Sequence, residues 1–273
     1  MLGALHVPVA PLSDFVANLW SLSDAPSHAK ERIVPSGTLE LVINLNEDEF
    51  RIHDRAGLAR FQRFSGAIVS GAYDSYFVID TAEHASVIGV HFKAGGALPV
   101  LGLPPGALAG RHVDLETLWG AEARNLREAL CAASSSARRF PILEAALLAR
   151  LREPRRRSAV DFALTALGKG TSVGDVVAEL DLSHRRFIEI FTSEVGITPK
   201  SFGRIQRFQR AAELVRRDAC ADWSELAVQC GYFDQSHLIR DFVDFSGFSP
   251  TEFLHRSKAR VKENHLPLGG AER

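Results

Sequence analysis

The stretch Gly231-Tyr232-Phe233-Asp234-Gln235-Ser236-His237-Leu238-Ile239-Arg240-Asp241-Phe242, continued by Gly247-Phe248-Ser249-Pro250, decides how this chain folds. A short helix ahead of it, Trp223 to Cys230, runs into Gly231-Tyr232-Phe233, where glycine permits the left-handed backbone of a tight turn. Asp234 then caps a second helix. Ser249 sets a capping hydroxyl before Pro250 at the first position of the next. The unit reads as a helix-turn-helix, and it occurs twice. Phe191, Gly196 and Pro199 recur as Phe242, Gly247 and Pro250 at an offset of 51, and Val176-Val177-Ala178 recurs as Leu226-Ala227-Val228 at an offset of 50. Register kept across helix, turn and helix marks an internal repeat of one supersecondary unit.

In the first copy Ser172 caps a helix from Val173 to Leu180, with Asp175 as the carboxylate of a capping box; Asp222 and Glu225 repeat the pattern. Asp181-Leu182 make the turn, and Ser183 caps the helix that follows. On that helix Phe187, Ile190 and Phe191 form one apolar stripe. Arg185 and Glu189 lie opposite, flanked by His184, Arg186 and Ile188. In the second copy Leu238, Phe242 and Phe245 form the stripe, with Ser236 and Arg240 opposite and Gln235, His237 and Ile239 beside them. A helix docked by one apolar stripe, with Arg, Gln, Ser and His on its free face, fits the major groove of DNA in size and donor chemistry. The candidate base-reading residues are therefore His184, Arg185, Arg186, Ile188 and Glu189 in the first unit. In the second they are Gln235, Ser236, His237 and Arg240. Ser183, Lys200, Arg204 and Arg256, near helix ends, are candidate phosphate contacts. Ser201 to Asp218 reads as an amphipathic spacer helix on Ile205, Phe208, Ala212 and Val215. It is suited to hold two recognition helices about 34 Å apart, one turn of DNA.

These residues resemble the C-terminal DNA-binding region of the AraC/XylS family of bacterial transcriptional regulators, from near Arg157 to Lys258. The resemblance implies seven helices with two helix-turn-helix units, promoter binding at asymmetric sites and activation through RNA polymerase. Two positions depart from the family pattern. Asp181 stands where the family has glycine in the first turn. Glu189 sits on the first recognition face, where it repels phosphate yet can accept from cytosine N4.

The first 120 residues read differently, as short strands between Gly, Pro and Asp turns: Thr38 to Leu45, Ala67 to Ser70, Tyr76 to Asp80 and Ser86 to Phe92. Such a series predicts a cupin-like barrel or a sandwich. From Leu115 to Leu151 the leucines recur at helical spacing. The expected fold class is thus α+β. A β-rich domain with trailing helices occupies residues 1–154, an all-α domain 155–262, and a flexible tail 263–273. Pro35-Ser36-Gly37-Thr38-Leu39-Glu40-Leu41-Val42-Ile43-Asn44 and Gly110-Arg111-His112-Val113-Asp114-Leu115 resemble the sensory domains of one bacterial subgroup, which implies effector binding or dimerisation. Strand alternation puts Glu40, Val42 and Asn44 on one face and Val87, Gly89 and His91 on another. Glu40, Asn44 and His91 are accordingly the candidate effector contacts; the competing reading is that Glu40 and His91 simply satisfy each other. The Leu126 to Leu151 stretch is a candidate homodimer surface.

Composition narrows the class further. The chain has 273 residues, 46% hydrophobic and 24% charged, which excludes disorder, collagen and coiled coil. No run approaches the roughly 20 apolar residues of a bilayer span, and the N-terminus is a poor signal peptide. Three cysteines in a chain of this length point to a reduced cytoplasm. The net charge of −1 conceals a polarity: residues 1–154 carry 14 basic and 17 acidic side chains, residues 155–262 carry 17 and 14. Cys220, Cys230 and His237 lack the paired spacing of a zinc site, so no metal and no cofactor are expected. No G-x-S-x-G, H-E-x-x-H or P-loop points to an enzyme. The alternative reading is a small-molecule-binding or protein-interaction protein whose helical domain has lost specific DNA readout.

Overall fold

The computed structural model describes residues 2–23, 30–55, 57–152, 158–217, 222–258 and 264–268. Ten strands come from the first half: β1 (Leu2–His6), β2 (Val16–Ser23), β3 (Lys30–Ile33), β4 (Glu40–Asn44), β5 (Phe50–Asp54), β6 (Gly57–Phe64), β7 (Ala67–Ser70), β8 (Phe77–Asp80), β9 (Ser86–Phe92) and β10 (His112–Asp114). They form two antiparallel sheets, ordered β1-β2-β9-β4-β7-β10 and β3-β8-β5-β6. The sheets pack on each other through Trp20, Val42, Phe50, Ile68 and Val87, which makes the domain a sandwich.

The apolar run of β4 shows why its pattern is continuous rather than alternating. Val42 points into the layer between the sheets, while Leu41 and Ile43 enter a second core on the other face. A strand covered on both sides needs apolar residues at every position. That second face is covered by α1 (Leu98–Leu101), α2 (Leu115–Trp119), α3 (Ala121–Ala132) and α4 (Ser136–Arg150). Leu126, Leu130, Leu143 and Leu147 are buried there. The expected dimer surface is therefore corrected. Most of its leucines are spent inside their own chain, where each contributes about 2 kcal/mol by leaving water.

Among the described residues the C-terminal half holds seven helices: α5 (Ser158–Gly168), α6 (Val173–Ala178), α7 (His184–Val195), α8 (Pro199–Arg217), α9 (Trp223–Gln229), α10 (Gln235–Ser246) and α11 (Pro250–Ser257). Their starts follow the cap residues. Ser172, Ser183, Asp222, Asp234 and Ser249 each accept a backbone N–H of the helix they precede. Gly196 and Gly247 end α7 and α10 in the left-handed region, as an αL C-cap requires.

The two halves share one continuous core. A short 3-10 helix, Pro105–Leu108, packs against α7 so closely that a Cβ on Gly106 would lie 2.8 Å from the carbonyl oxygen of Thr192. The expected boundary at Arg155 lies outside the described residues. The tail does not behave as expected throughout: β11 (His265–Pro267) pairs antiparallel with β3 and extends the second sheet. Leu266 is fully buried there, and this apolar anchorage is why residues 264–268 are ordered in place rather than frayed.

Candidate nucleic-acid interface and effector cavity

Both recognition helices present the free faces that their spacing predicts. On α7, Phe187, Ile190 and Phe191 are buried, while His184, Arg185, Arg186, Ile188 and Glu189 are exposed. Two of the arginines are already engaged. Arg185 Nε donates to Glu189 Oε1 at 3.0 Å, and Arg186 Nη1 to Oε2 at 3.4 Å. The hydrogen bond from Arg185, reinforced by Arg186, holds the Glu189 carboxyl below the usual carboxylate range. The face is thus a local charge cluster that carries one excess positive charge from these three groups.

The α10 face is more open. Leu238, Phe242 and Phe245 are buried; Gln235, Ser236 and Arg240 are exposed, with His237 half-buried beside Tyr232. Among the described residues Arg240 has no hydrogen-bond or ion-pair partner, so its guanidinium fork is free for a planar acceptor edge. Phe233, in the turn before the helix, is 90% exposed. Nothing in the apolar pattern marks it, because the turn lies outside both helical stripes.

The phosphate candidates divide. Lys200 is exposed at the start of α8, and Ser183 is exposed but already accepts the backbone N–H of Arg186. Arg204 and Arg256 are engaged within the chain. Arg204 donates to Asp241 and Asp244 of α10. Arg256 donates to Glu252 and to the carbonyl oxygens of Pro267 and Leu268. Both guanidinium groups tie separate parts of the chain together. Lys169, Lys200, Arg207, Arg210 and Arg240 also border an open groove of about 900 Å³ along α8. Lys169 was not legible as a candidate, since it follows α5 with no cap or repeat position to single it out.

The sandwich borders a half-open cavity of about 450 Å³. Trp20, Ile33, Tyr73 and Phe77 supply apolar walls, and Glu40 and His91 lie in it as a pair, Nε2 to Oε1 at 2.6 Å. Asn44 does not reach it. Its side chain is fully buried at the β4–β5 turn, donating to Glu49 O and accepting from the N–H groups of Asn46 and Glu47. That is an Asx-type role that alternation alone cannot distinguish from a ligand contact. Cys230 is buried and free, while Cys220 lies outside the described residues. Among the described residues, no group of three or more His, Cys, Asp or Glu is placed to hold a metal, and no helix is long and apolar enough to cross a membrane.

Two family models match separate parts of the chain. Residues 176–256 match the family described as a helix-turn-helix domain, and residues 5–114 match a domain of unknown function, DUF6597. No curated protein matches the chain. Among solved structures it is similar to a probable AraC family transcriptional regulator from Rhodopseudomonas palustris CGA009, at 24% identity over 37% of this chain and 98% of that one, with a TM-score of 0.33. It is also similar to ToxT from Vibrio cholerae, at 11% identity over 87% and 97%, with a TM-score of 0.47. A DNA-binding transcriptional dual regulator from Escherichia coli K-12 is 22% identical over 40% and 100%, with a TM-score of 0.33. The segment that matches the helix-turn-helix family holds both helix-turn-helix units, α6 with α7 and α9 with α10.

Proposed function

We propose that the protein is an effector-responsive regulator that sets α7 and α10 into successive major grooves of promoter DNA, with α10 carrying the larger share of base reading. The carrying observation is the contrast between Arg240, exposed and without a partner among the described residues, and Arg185 and Arg186, both paired with Glu189. Residues 155–262 are assigned to DNA and residues 1–154 to sensing. The cavity of about 450 Å³ supports the sensing role, because it falls in the range of ligand pockets. RNA polymerase is the proposed partner at the promoter. Pairing of two copies would add affinity to a domain of modest charge, through a face other than the leucines buried under α3 and α4.

Selection from a pool of random duplexes tests the reading. Enrichment of a site spanning about two helical turns is expected, with protection in two adjacent major grooves. Equal retention of selected and random duplexes at every salt concentration would overturn it in favour of a ligand-binding or interaction protein.

A further inference from the structure

The last described strand joins both functions. β11 begins shortly after α11, the helix that closes the second helix-turn-helix unit, yet it adds to the sensor's sheet: His265 pairs with Ile33, Leu266 with Arg32 and Pro267 with Glu31. The N–H of Val34 donates to Asn264 O at 2.9 Å, and that of Leu268 to Lys30 O at 3.0 Å. His265 Nδ1 lies 2.7 Å from Glu31 Oε2, with both side chains buried. From the other side, Arg256 of α11 grips the carbonyls of Pro267 and Leu268.

The same segment is a wall of the cavity. Asn264 and His265 line it, together with the chain from Ile33 to Ser36. That wall is also what the spacer helix holds. Gln209 of α8 donates to Pro35 O at 2.6 Å and to Asn264 Oδ1 at 3.2 Å, and Gln206 donates to Ser36 O at 3.2 Å. Arg32 completes the seam, donating to Ser246 O at the end of α10 and stacking over Phe248 at 3.9 Å. None of these contacts uses the exposed residues of the recognition faces. The seam sets the position of the second unit without covering it.

The lining also limits what can fill the cavity. Among the described residues it contains no Lys or Arg, one carboxylate, Glu40, and the aromatic rings of Trp20, Tyr73 and Phe77. An anionic ligand would meet no permanent cation there. An aromatic amine would meet ring faces, the usual partners of an organic cation, and would compete with His91 for the Glu40 carboxylate.

We propose that β11 is a ligand-stabilised latch: a small aromatic amine in the cavity packs against Asn264 and His265 and tightens the strand's hold on the second helix-turn-helix unit. The proposal rests on the reading of the cavity as the effector site. Hydrogen exchange of the full chain, with tyramine as probe and 4-hydroxyphenylacetate as its anionic counterpart, tests the two separately. Leu266→Glu puts a charge into a fully buried position of the latch. It is expected to speed exchange of α10 and α11 by about tenfold while β4 and β9 stay protected. If that variant loses its fold, Gln209→Ala with Asn264→Ala removes the Gln209 bonds across the seam, leaves the apolar anchorage of Leu266 in place, and is read in the same way. Tyramine is expected to slow exchange in β3 and α11 of the parent and not of the latch variants, and the carboxylate to do neither. Unchanged α10 and α11 exchange in the variants overturns the latch whatever binds. Protection by tyramine confined to β2 and β4 overturns the coupling and leaves the effector site standing. Protection by neither compound, or by the carboxylate alone, overturns the assignment of the cavity to amines.

Discussion

Arg204 of the spacer helix donates through Nε at 3.1 Å and Nη2 at 2.5 Å to one carboxylate oxygen of Asp241, a fully buried residue of the second recognition helix. Arg207 stands 3.7 Å from the other oxygen. The second unit is thus fixed on the spacer by charge as well as by its apolar stripe. Removing Arg204 leaves the buried Asp241 carboxylate without its hydrogen-bonded partner, with only Arg207 at 3.7 Å to offset its charge. Arg204→Ala is therefore expected to cost about 3 kcal/mol in urea unfolding. Replacing both partners with apolar residues, Arg204→Met with Asp241→Leu, should return most of that loss. An unchanged midpoint for Arg204→Ala would show that the pair is only decoration.

Arg240 and Lys200 should fail in different ways. Arg240 sits in the middle of a recognition face, so Arg240→Ala is expected to weaken binding to a selected site by about 1–3 kcal/mol and to relax preference at one base pair. Lys200 lies at a helix start, outside that face. Lys200→Ala is expected to lower affinity for all duplexes alike and to reduce the slope of log affinity against log salt by about one. Anisotropy titrations on selected and random duplexes separate the two. A uniform loss for Arg240→Ala would remove it from base reading.

Glu189 keeps two arginines to itself. Glu189→Gln frees Arg185 and Arg186 and deletes a negative charge facing the phosphates. Tighter binding to random DNA and a steeper salt slope are expected. A fall in affinity on a selected site, limited to duplexes with cytosine at one position, would instead make Glu189 a reader of cytosine N4.

The helical half was largely legible because its determinants are local. Ser183, Asp234 and Ser249 cap within three residues of their own position, and the stripes of Phe187 and Phe242 follow helical geometry. What the sequence did not show is which charges the tertiary fold consumes. Arg204 and Arg256 look like Arg240 in a helical pattern, and only contacts with Asp241, 37 residues away, and with the carbonyl of Pro267 separate them. In the β-rich half, period two placed Glu40 and Asn44 on one face, but the turn after β4 takes Asn44 for its own backbone. β11 was hidden for a different reason. His265, Leu266 and Pro267 are three residues beside a Gly-Gly pair, and their value lies in a partner strand more than 200 residues earlier.

Two desolvated titratable groups in the β-rich half oppose each other across the acid range. Burial pushes the Glu83 carboxyl up to about 7, against the hydrogen bond from the Arg51 N–H that favours its ionised form. Burial pushes His112, packed among Tyr73, Phe77 and Phe64, down to about 3. Between their unfolded values and these, Glu83 is protonated in the folded chain and ionised in the unfolded one, so its contribution is present below pH 4.5 and is lost as pH rises towards 7. His112 is neutral when folded and protonated when unfolded, so its contribution is full above pH 6.5 and is lost as pH falls. The two slopes cancel in the overlap from pH 4.5 to 6.5. Glu83→Gln, which still accepts from Arg51, should uncover a stability that rises with pH there, and His112→Gln one that falls. Urea midpoints for the parent and each variant across that interval check the signs. A difference between Glu83→Gln and the parent that does not change with pH would place the Glu83 carboxyl in its ordinary range.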